Sequence, residues 1–512
     1  MLQAQRLWEL VERRAAATPD APIAIDSGGR SLTFGEFKAD AERAAAGLAG
    51  LGVTERTVVS WQLPTWLESM VLVAALSRLS ALQNPILPIL REREVGFIVR
   101  QARTRLLIVP STFRDFDSEG MARAIAKEVD GLDVLIADRE LPAGDPAALP
   151  APPSTEGDPP VRWLFYTSGT TAEPKGAQHT DLTVMAAAKG MAERLALVAE
   201  DRSALVFPFT HIGGIIWLFA GLMTGLVHLI DEVFDPVGTT EFLAREEVTL
   251  AGSGTPFHQA YLKYQRDHPD QKLFPNARAY PGGGAPKPPQ LHYDVKSELG
   301  GVGIVSGYGL TESPILTMAG VDDTDEVLAN TEGRATPGVE LRIAKPDGRV
   351  ARPGEEGEVR AKAPQLMKGY LDSALDVDAF DEEGFFRTGD LGRLDEAGNL
   401  TITGRLKDII IRKGENISAK EVEDLLFQHP KVADVAVVGL PDPELGERAC
   451  AVVALKDPAD SLELADVGEF LVGKNLSKRK LPEQLEIVDR LPRNPAGKVV
   501  KTELRERFAQ QR

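Results

Sequence analysis

Up to about residue 109 the apolar positions alternate between two rhythms. 57-TVVSWQL-63 and 105-RLLIVPS-111 are short runs rich in β-branched residues and leucine, as in strands buried on both faces. Between them, 67-LESMVLVAALSRL-79 is long enough for a buried helix. At the very start, Leu2, Leu7, Leu10 and Val11 predict an amphipathic helix that stops near Pro19. Further strands are predicted at 161-VRWLFYT-167, 203-SALVFPF-209, 226-LVHLID-231, 249-TLAGS-253 and 302-VGIVSGYG-309. Strands that alternate with helices build parallel sheets with helices on their faces, so the fold class is α/β.

The texture changes twice. After about 335, short runs such as 339-VELRIA-344 and 357-GEVRAKA-363, split by 345-KPDGR-349, predict a small β-meander or barrel-like part. From 404 the pattern becomes compact α+β. It has a strand at 408–412, a helix over 418–430, strands at 432–440 and 449–455, and a helix over 464–476. The expected organisation is a large N-terminal domain, 1–404, and a small C-terminal domain, 405–512. The Pro-, Ala- and Gly-rich stretch 141–160 is predicted to be a solvated linker or long surface loop.

Composition narrows the function. The net charge of −18 argues against non-specific nucleic-acid binding, which needs a basic footprint. One cysteine, Cys450, permits no internal disulfide and suits a reducing cytosol; its apolar neighbours predict a buried small hydrophobe. The N-terminus has no uninterrupted apolar stretch of the signal-peptide kind, so a cytoplasmic location is expected. 211-HIGGIIWLFAGLMTGLVHLI-230 approaches membrane-spanning length. Its four glycines, two histidines and the following Asp231-Glu232 favour a core helix running into a strand, with no transmembrane segment.

The candidate chemistry begins at 166-YTSGTTAEPKG-176. A strand delivers the chain into a turn with hydroxyls at Thr167, Ser168, Thr170 and Thr171, glycines at 169 and 176, and Lys175. Backbone N–H groups in such a turn form an anion-binding nest, and a lysine adds a point charge. The order is not that of a Walker A loop, where the lysine follows the glycine and precedes the hydroxyl. In 307-GYGLTES-313, Tyr308 offers an aromatic face, Thr311 a hydroxyl and Glu312 a hard oxygen ligand suited to Mg²⁺. Asp390 lies in a Gly-bounded turn where a carboxylate can accept from ribose hydroxyls. Lys498 sits on a Pro/Gly-shaped loop, 492-PRNPAGKVVK-501.

Taken together and in this order, these motifs resemble the adenylate-forming superfamily of acyl-CoA synthetases, peptide-synthetase adenylation domains and beetle luciferases. The resemblance runs from 31-SLTFGEFKADAERAAAGLAGLGV-53 to the lysine loop. It implies that a carboxylate is joined to ATP with loss of pyrophosphate, and that the acyl group then passes to a thiol. Thr167, Ser168, Gly169, Thr170, Thr171 and Lys175 would then hold the β- and γ-phosphates, although Ala172 stands where the family usually has glycine. Gly283, Gly284 and Ala285 would line the adenine pocket, with Tyr308 and Gly309 against the base. Thr311 would touch the α-phosphate, Glu312 would hold Mg²⁺, and Asp390 and Arg405 would bind the ribose. Lys498 would bridge carboxylate and α-phosphate; His211 would border the carboxylate and thiol path; Gly414 would adjoin the pantetheine tunnel; and Lys407 would be the hinge.

The implied cofactors are ATP, Mg²⁺ and CoA; a homodimer is compatible with the reading. The 212–223 stretch has no charge and 207-FPFTH-211 has no acidic residue, so an apolar acid is expected over an amino acid. Fatty, alicyclic and aromatic acids all remain open. So do two other functions: loading of a carrier-protein thiol, against which the end of the chain fourteen residues after Lys498 weighs, and a non-catalytic nucleotide sensor.

Overall fold

A computed structural model describes residues 1–154, 156–167, 174–284, 287–412, 415–443, 445–493 and 498–509. Two sheets carry the large domain. In one, Lys175–Thr180, Val161–Thr167, Leu82–Pro85, Val58–Trp61, Leu106–Val109 and Asp133–Ile136 lie side by side in that order. Its pairs are parallel except for the edge pair of Lys175–Thr180 with Val161–Thr167. The other begins as Ser31–Thr33, Pro22–Asp26, Val227–Ile230 and Arg202–Leu205. Leu250 bridges Ser203 to Ala279 in parallel register, so this sheet continues into Tyr280–Gly283, Ile304–Tyr308, Thr317–Met318 and Arg334–Ala335. The strand expected at 249–253 is thus only this single joining residue, because the chain turns at once into Gly252–Gly254.

The helix Ile212–Thr224 fills the space between layers. Nearly every side chain in it is buried, and it packs in the main core with Trp61, Trp163 and Phe165. A helix that is apolar all round belongs in a core. Its 13 residues, closed by Gly225 at φ +92° with its N–H on the Gly221 carbonyl, are too few to span a bilayer. Among the described residues no helix is long and apolar enough to cross a membrane.

The 141–160 stretch corrects the expectation of a free linker. Its first part is a strap laid across the helix Phe34–Gly50: Gly144 N–H donates to the Arg43 carbonyl at 2.9 Å. A Cβ on Gly47 would lie 2.3 Å from the Pro142 carbonyl oxygen, so the crossing requires glycine there. Leu141 and Leu149 rest on the core.

The barrel-like part is a four-stranded antiparallel meander, Glu340–Ala344, Gly357–Lys362, Phe386–Leu394 and Leu400–Arg405. A short turn, Leu406–Asp408, leads to the small domain. There the hairpin Val432–Asp442/Gly446–Leu455 is flanked by Gln484–Ile487, Ile409–Arg412 and Glu415–Ser418. Helices Ala419–Leu426 and Leu464–Gly473 cover one face. Both end earlier than their apolar periodicity suggests. Cys450 is fully buried, which pushes its thiol up to about 12.

Candidate active site

Strands Val161–Thr167, Tyr280–Gly283 and Ile304–Tyr308 all end on one side of the large domain, the side on which ligands bind in open α/β sheets. Thr167 pairs with Lys175 across the edge hairpin, so the predicted phosphate loop begins and ends at the last rungs of one ladder. Ser168, Gly169, Thr170, Thr171 and Ala172 lie outside the described residues, as do Ala285 and Gly414. The ring of Tyr166 lies across Gly176, where an added Cβ would stand 3.0 Å from Cζ. Its hydroxyl donates to Gln101 Oε1 at 2.9 Å.

Gly283 and Gly307 are register partners, and a Cβ on Gly283 would come within 2.9 Å of the Gly307 carbonyl. Gly284 has φ +74° and open space where a Cβ would be. That leaves bare backbone beside Tyr308, as a flat base requires. Gly309 is equally constrained: a Cβ there would stand 2.4 Å from the Ile315 nitrogen. The turn that follows presents Thr311 and Glu312.

Two residues absent from the sequence-based list hold this turn. Nε2 of the buried His179 donates to the Thr311 carbonyl at 2.9 Å, and burial pulls that imidazole down to about 4, so it is neutral near pH 7. The Tyr370 hydroxyl donates to Glu312 Oε1 at 2.8 Å, and the same ring lies 5.5 Å from Lys175 Nζ. Tyr370 therefore ties the metal-ligand candidate to the phosphate lysine. Nothing around it in 367-MKGYLD-372 marks it as functional. Its position depends on the bridge between Ala177 and Tyr370, which no local pattern encodes.

Asp390 is 3 % exposed. Its Oδ2 accepts from the Tyr308 hydroxyl at 2.7 Å and its Oδ1 pairs with Arg405 Nε at 2.8 Å. Asp390 and Arg405 are register partners on adjacent strands, which explains their meeting across fifteen residues of chain. The carboxylate thus links the adenine face to the ribose side of the site.

Lys498 arrives from the small domain. An Arg493–Val499 bridge and the Val500 N–H to Pro492 carbonyl bond, 2.8 Å, close its turn. Arg493–Asp434 and Lys501–Glu423 ion pairs anchor that turn to the rest of the small domain. The Lys498 ammonium is pulled down to about 8, first by burial and then by Arg405, while Asp390 and Glu312 oppose the shift. The sequence places these groups more than a hundred residues apart; here they share one field. His211 caps the Ile212–Thr224 helix, and its Nδ1 accepts from Gly213 N–H at 3.1 Å. Burial and then Lys498 bring it down to about 4. At neutral pH it is an uncharged ring that offers Nε2–H to the cavity.

Every described member of the predicted set therefore falls in or beside one cleft between the two domains, with Lys407 exposed on its rim. A family model described as AMP-binding enzyme matches residues 11–371, and the model of its C-terminal domain matches 421–498. The chain belongs to the AMP-binding enzyme family, within the adenylate-forming superfamily. It is 32 % identical over 507 residues to a medium-chain fatty-acid–CoA ligase of Escherichia coli K12, covering 96 % of this chain and 89 % of that protein. It is also 32 % identical to the salicyl-AMP ligase/salicyl-S-ArCP synthetase of Mycobacterium tuberculosis H37Rv, over 94 % of this chain and 87 % of the relative. Among solved structures, ATP-bound MatB from Rhodopseudomonas palustris superposes with a TM-score of 0.88 at 27 % identity, covering 98 % and 99 % of the two chains.

Proposed function

We propose that this member of the family is an ATP-dependent acyl-CoA synthetase. It would activate a carboxylic acid as the acyl-adenylate with release of pyrophosphate, then pass the acyl group to CoA with release of AMP. The observation that carries the reading is the delivery of Lys498 by the small domain into the field of Glu312, Asp390 and Arg405, beside His211. A cation there lets two anions, the acid's carboxylate and the nucleotide's α-phosphate, approach each other, and it stabilises the charge that builds as they react. Lys175 and the Thr167 end of the loop would hold the β- and γ-phosphates as they leave. Neutral His211 would donate to the carboxylate without repelling Lys498.

Mg²⁺ fits the donor set as a substrate-borne ion. Among the described residues no three His, Cys, Asp or Glu side chains converge on a metal, and Glu312 brings one carboxylate. Mg²⁺ is commonly held this way, by one or two carboxylates plus phosphate oxygens. When bound it would neutralise phosphate charge. Tyr370 would meanwhile fix the orientation of Glu312.

The acid would be apolar. Helix Ile212–Thr224 carries no charged side chain, and Phe207 lies 3.5 Å from the space a Cβ on Gly213 would take, next to His211. A panel of octanoate, benzoate, cyclohexanecarboxylate and a steroid-side-chain acid, each with ATP and CoA, tests the proposal. Acid-dependent pyrophosphate release followed by CoA-dependent AMP formation is expected for at least one. AMP formation only with a phosphopantetheinylated carrier would transfer the assignment to the carrier-loading reading, for which the salicyl-AMP relative is the precedent. No acid-dependent pyrophosphate at all would sink both.

The two half-reactions would use two orientations of the small domain, pivoting at the exposed turn Leu406–Asp408 with Lys407 as hinge and the domain border at 404/405. Proline at 407 locks φ near −65° and should slow acyl transfer roughly tenfold while leaving adenylation within about twofold. Single-turnover measurement of each half-reaction checks this; unchanged transfer would remove Lys407 from the hinge.

A further inference from the structure

Outside the chemistry just described, one cluster of charged side chains bridges the two domains. On the large domain, Glu332 accepts from the Ser306 hydroxyl at 2.6 Å, two residues before Tyr308. Its backbone N–H donates to the Leu400 carbonyl at 2.7 Å, and its carbonyl accepts from the Thr317 hydroxyl at 2.7 Å. Nearby, Lys287 is 7 % exposed and donates to the Leu328 carbonyl. On the small domain, Lys420 stands in the first turn of helix Ala419–Leu426 and pairs with Asp424 one turn on. Both groups flank the strand Leu400–Arg405: Glu332 at its Leu400 end, and the helix start at Thr403, whose carbonyl accepts from the capping Ser418 hydroxyl at 2.6 Å.

The charges alternate in sign. Glu332 is held up by burial against the pull of Lys287 and Lys420, and Lys420 is near enough to act on Lys287 as well. Asp424 adds the fourth charge. Each domain contributes one cation and one anion, so each half is internally neutral. Separating the halves leaves no naked charge, which makes the contact reversible rather than permanent.

We propose that Lys420 is a positioning residue for adenylation, docking the small domain against Glu332 in the orientation that carries Lys498 into the site. The lysine touches no reacting atom. It biases a two-orientation equilibrium, and the bias is lost when the small domain turns away for acyl transfer. The role of the two orientations rests on the acyl-CoA synthetase reading above.

The test uses the full chain with Lys420→Gln, Lys420→Arg, Glu332→Gln and the Lys420→Gln/Glu332→Gln pair. Acid-dependent ATP–pyrophosphate exchange, with the acid identified by the panel, should fall about tenfold in Lys420→Gln, while transfer from supplied acyl-adenylate to CoA stays within about twofold. Lys420→Arg should retain exchange. The double variant should be no worse than the weaker single, because two groups acting on each other are not additive. In parallel, trypsin should cut the 405–408 turn of the ATP-loaded enzyme several-fold faster in Lys420→Gln than in wild type. Equal losses in both half-reactions, additive losses in the pair, or unchanged exchange would overturn the proposal. If no acid supports exchange in wild type, the functional reading falls. The trypsin comparison then decides the docking role alone: equal cleavage rates overturn it.

Discussion

Replacing Lys498 by alanine is expected to cut acid-dependent pyrophosphate exchange by about 10²–10³-fold, the size of loss seen when one preorganised charge-stabilising donor is removed. Transfer from supplied acyl-adenylate to CoA should stay near wild type, because that step no longer joins two anions. Parallel loss of both half-reactions would refute the assigned role. The pH profile supplies an independent signature. Burial and Arg405 hold the ammonium at about 8 in the free enzyme, well below an ordinary lysine. The required charged form is present below that value and is lost above it, so kcat/KM for adenylation should decline as pH rises through about 8. Lys498→Arg keeps its charge throughout, so whatever activity it retains should lack this alkaline limb. An unchanged limb in that variant would assign the titration to another group.

Asp390→Ala removes the one carboxylate that joins Tyr308 to Arg405. The apparent KM for ATP should rise roughly 10–100-fold, which corresponds to about 1.4–2.8 kcal/mol and to one or two charged hydrogen bonds. The KM for the acid should change little. Nucleotide titration of the variant, followed by pyrophosphate release, separates the two. A selective loss of acid affinity would mean that Asp390 serves the acyl side. The loss has a structural part, because the Tyr308 hydroxyl and the Arg405 guanidinium are left without their shared partner. Asp390→Asn retains the shape and one acceptor, and should fall between the variant and wild type.

The positions of Tyr308, Asp390, Arg405 and Lys498 could be read from the chain because each sits in a short motif with its own turn chemistry. Their convergence could not be read from local pattern. Asp390 meets Arg405 through a strand register, and Lys498 meets both through the docking of a separate domain. Resemblance to a family, not periodicity, supplied that step. His179 and Tyr370 escaped notice for a related reason. Each acts through a single hydrogen bond to a loop far along the chain, His179 to Thr311 and Tyr370 to Glu312. A histidine in a strand or a tyrosine in a turn has no sequence neighbours that betray such a partner. The strand predicted at 249–253 shrank to one bridging residue because sheet continuity needs one well-placed pair, not a run. The strap at 141–150 looked like a solvated linker because proline, alanine and glycine are also what lets a chain lie flat against a helix.

That strap sets where the polypeptide can be opened. From Pro142 to Gly144 its backbone lies directly on Gly47 and Arg43, with no room for a side chain between them. A protease cannot thread this part through its cleft without first lifting it from the helix. The exposed residues immediately after it, Ala151–Ser154, carry no such restraint. An epitope or a split point placed there would leave the strap seated, whereas the same insertion eight residues earlier would pry apart the helix and its cover.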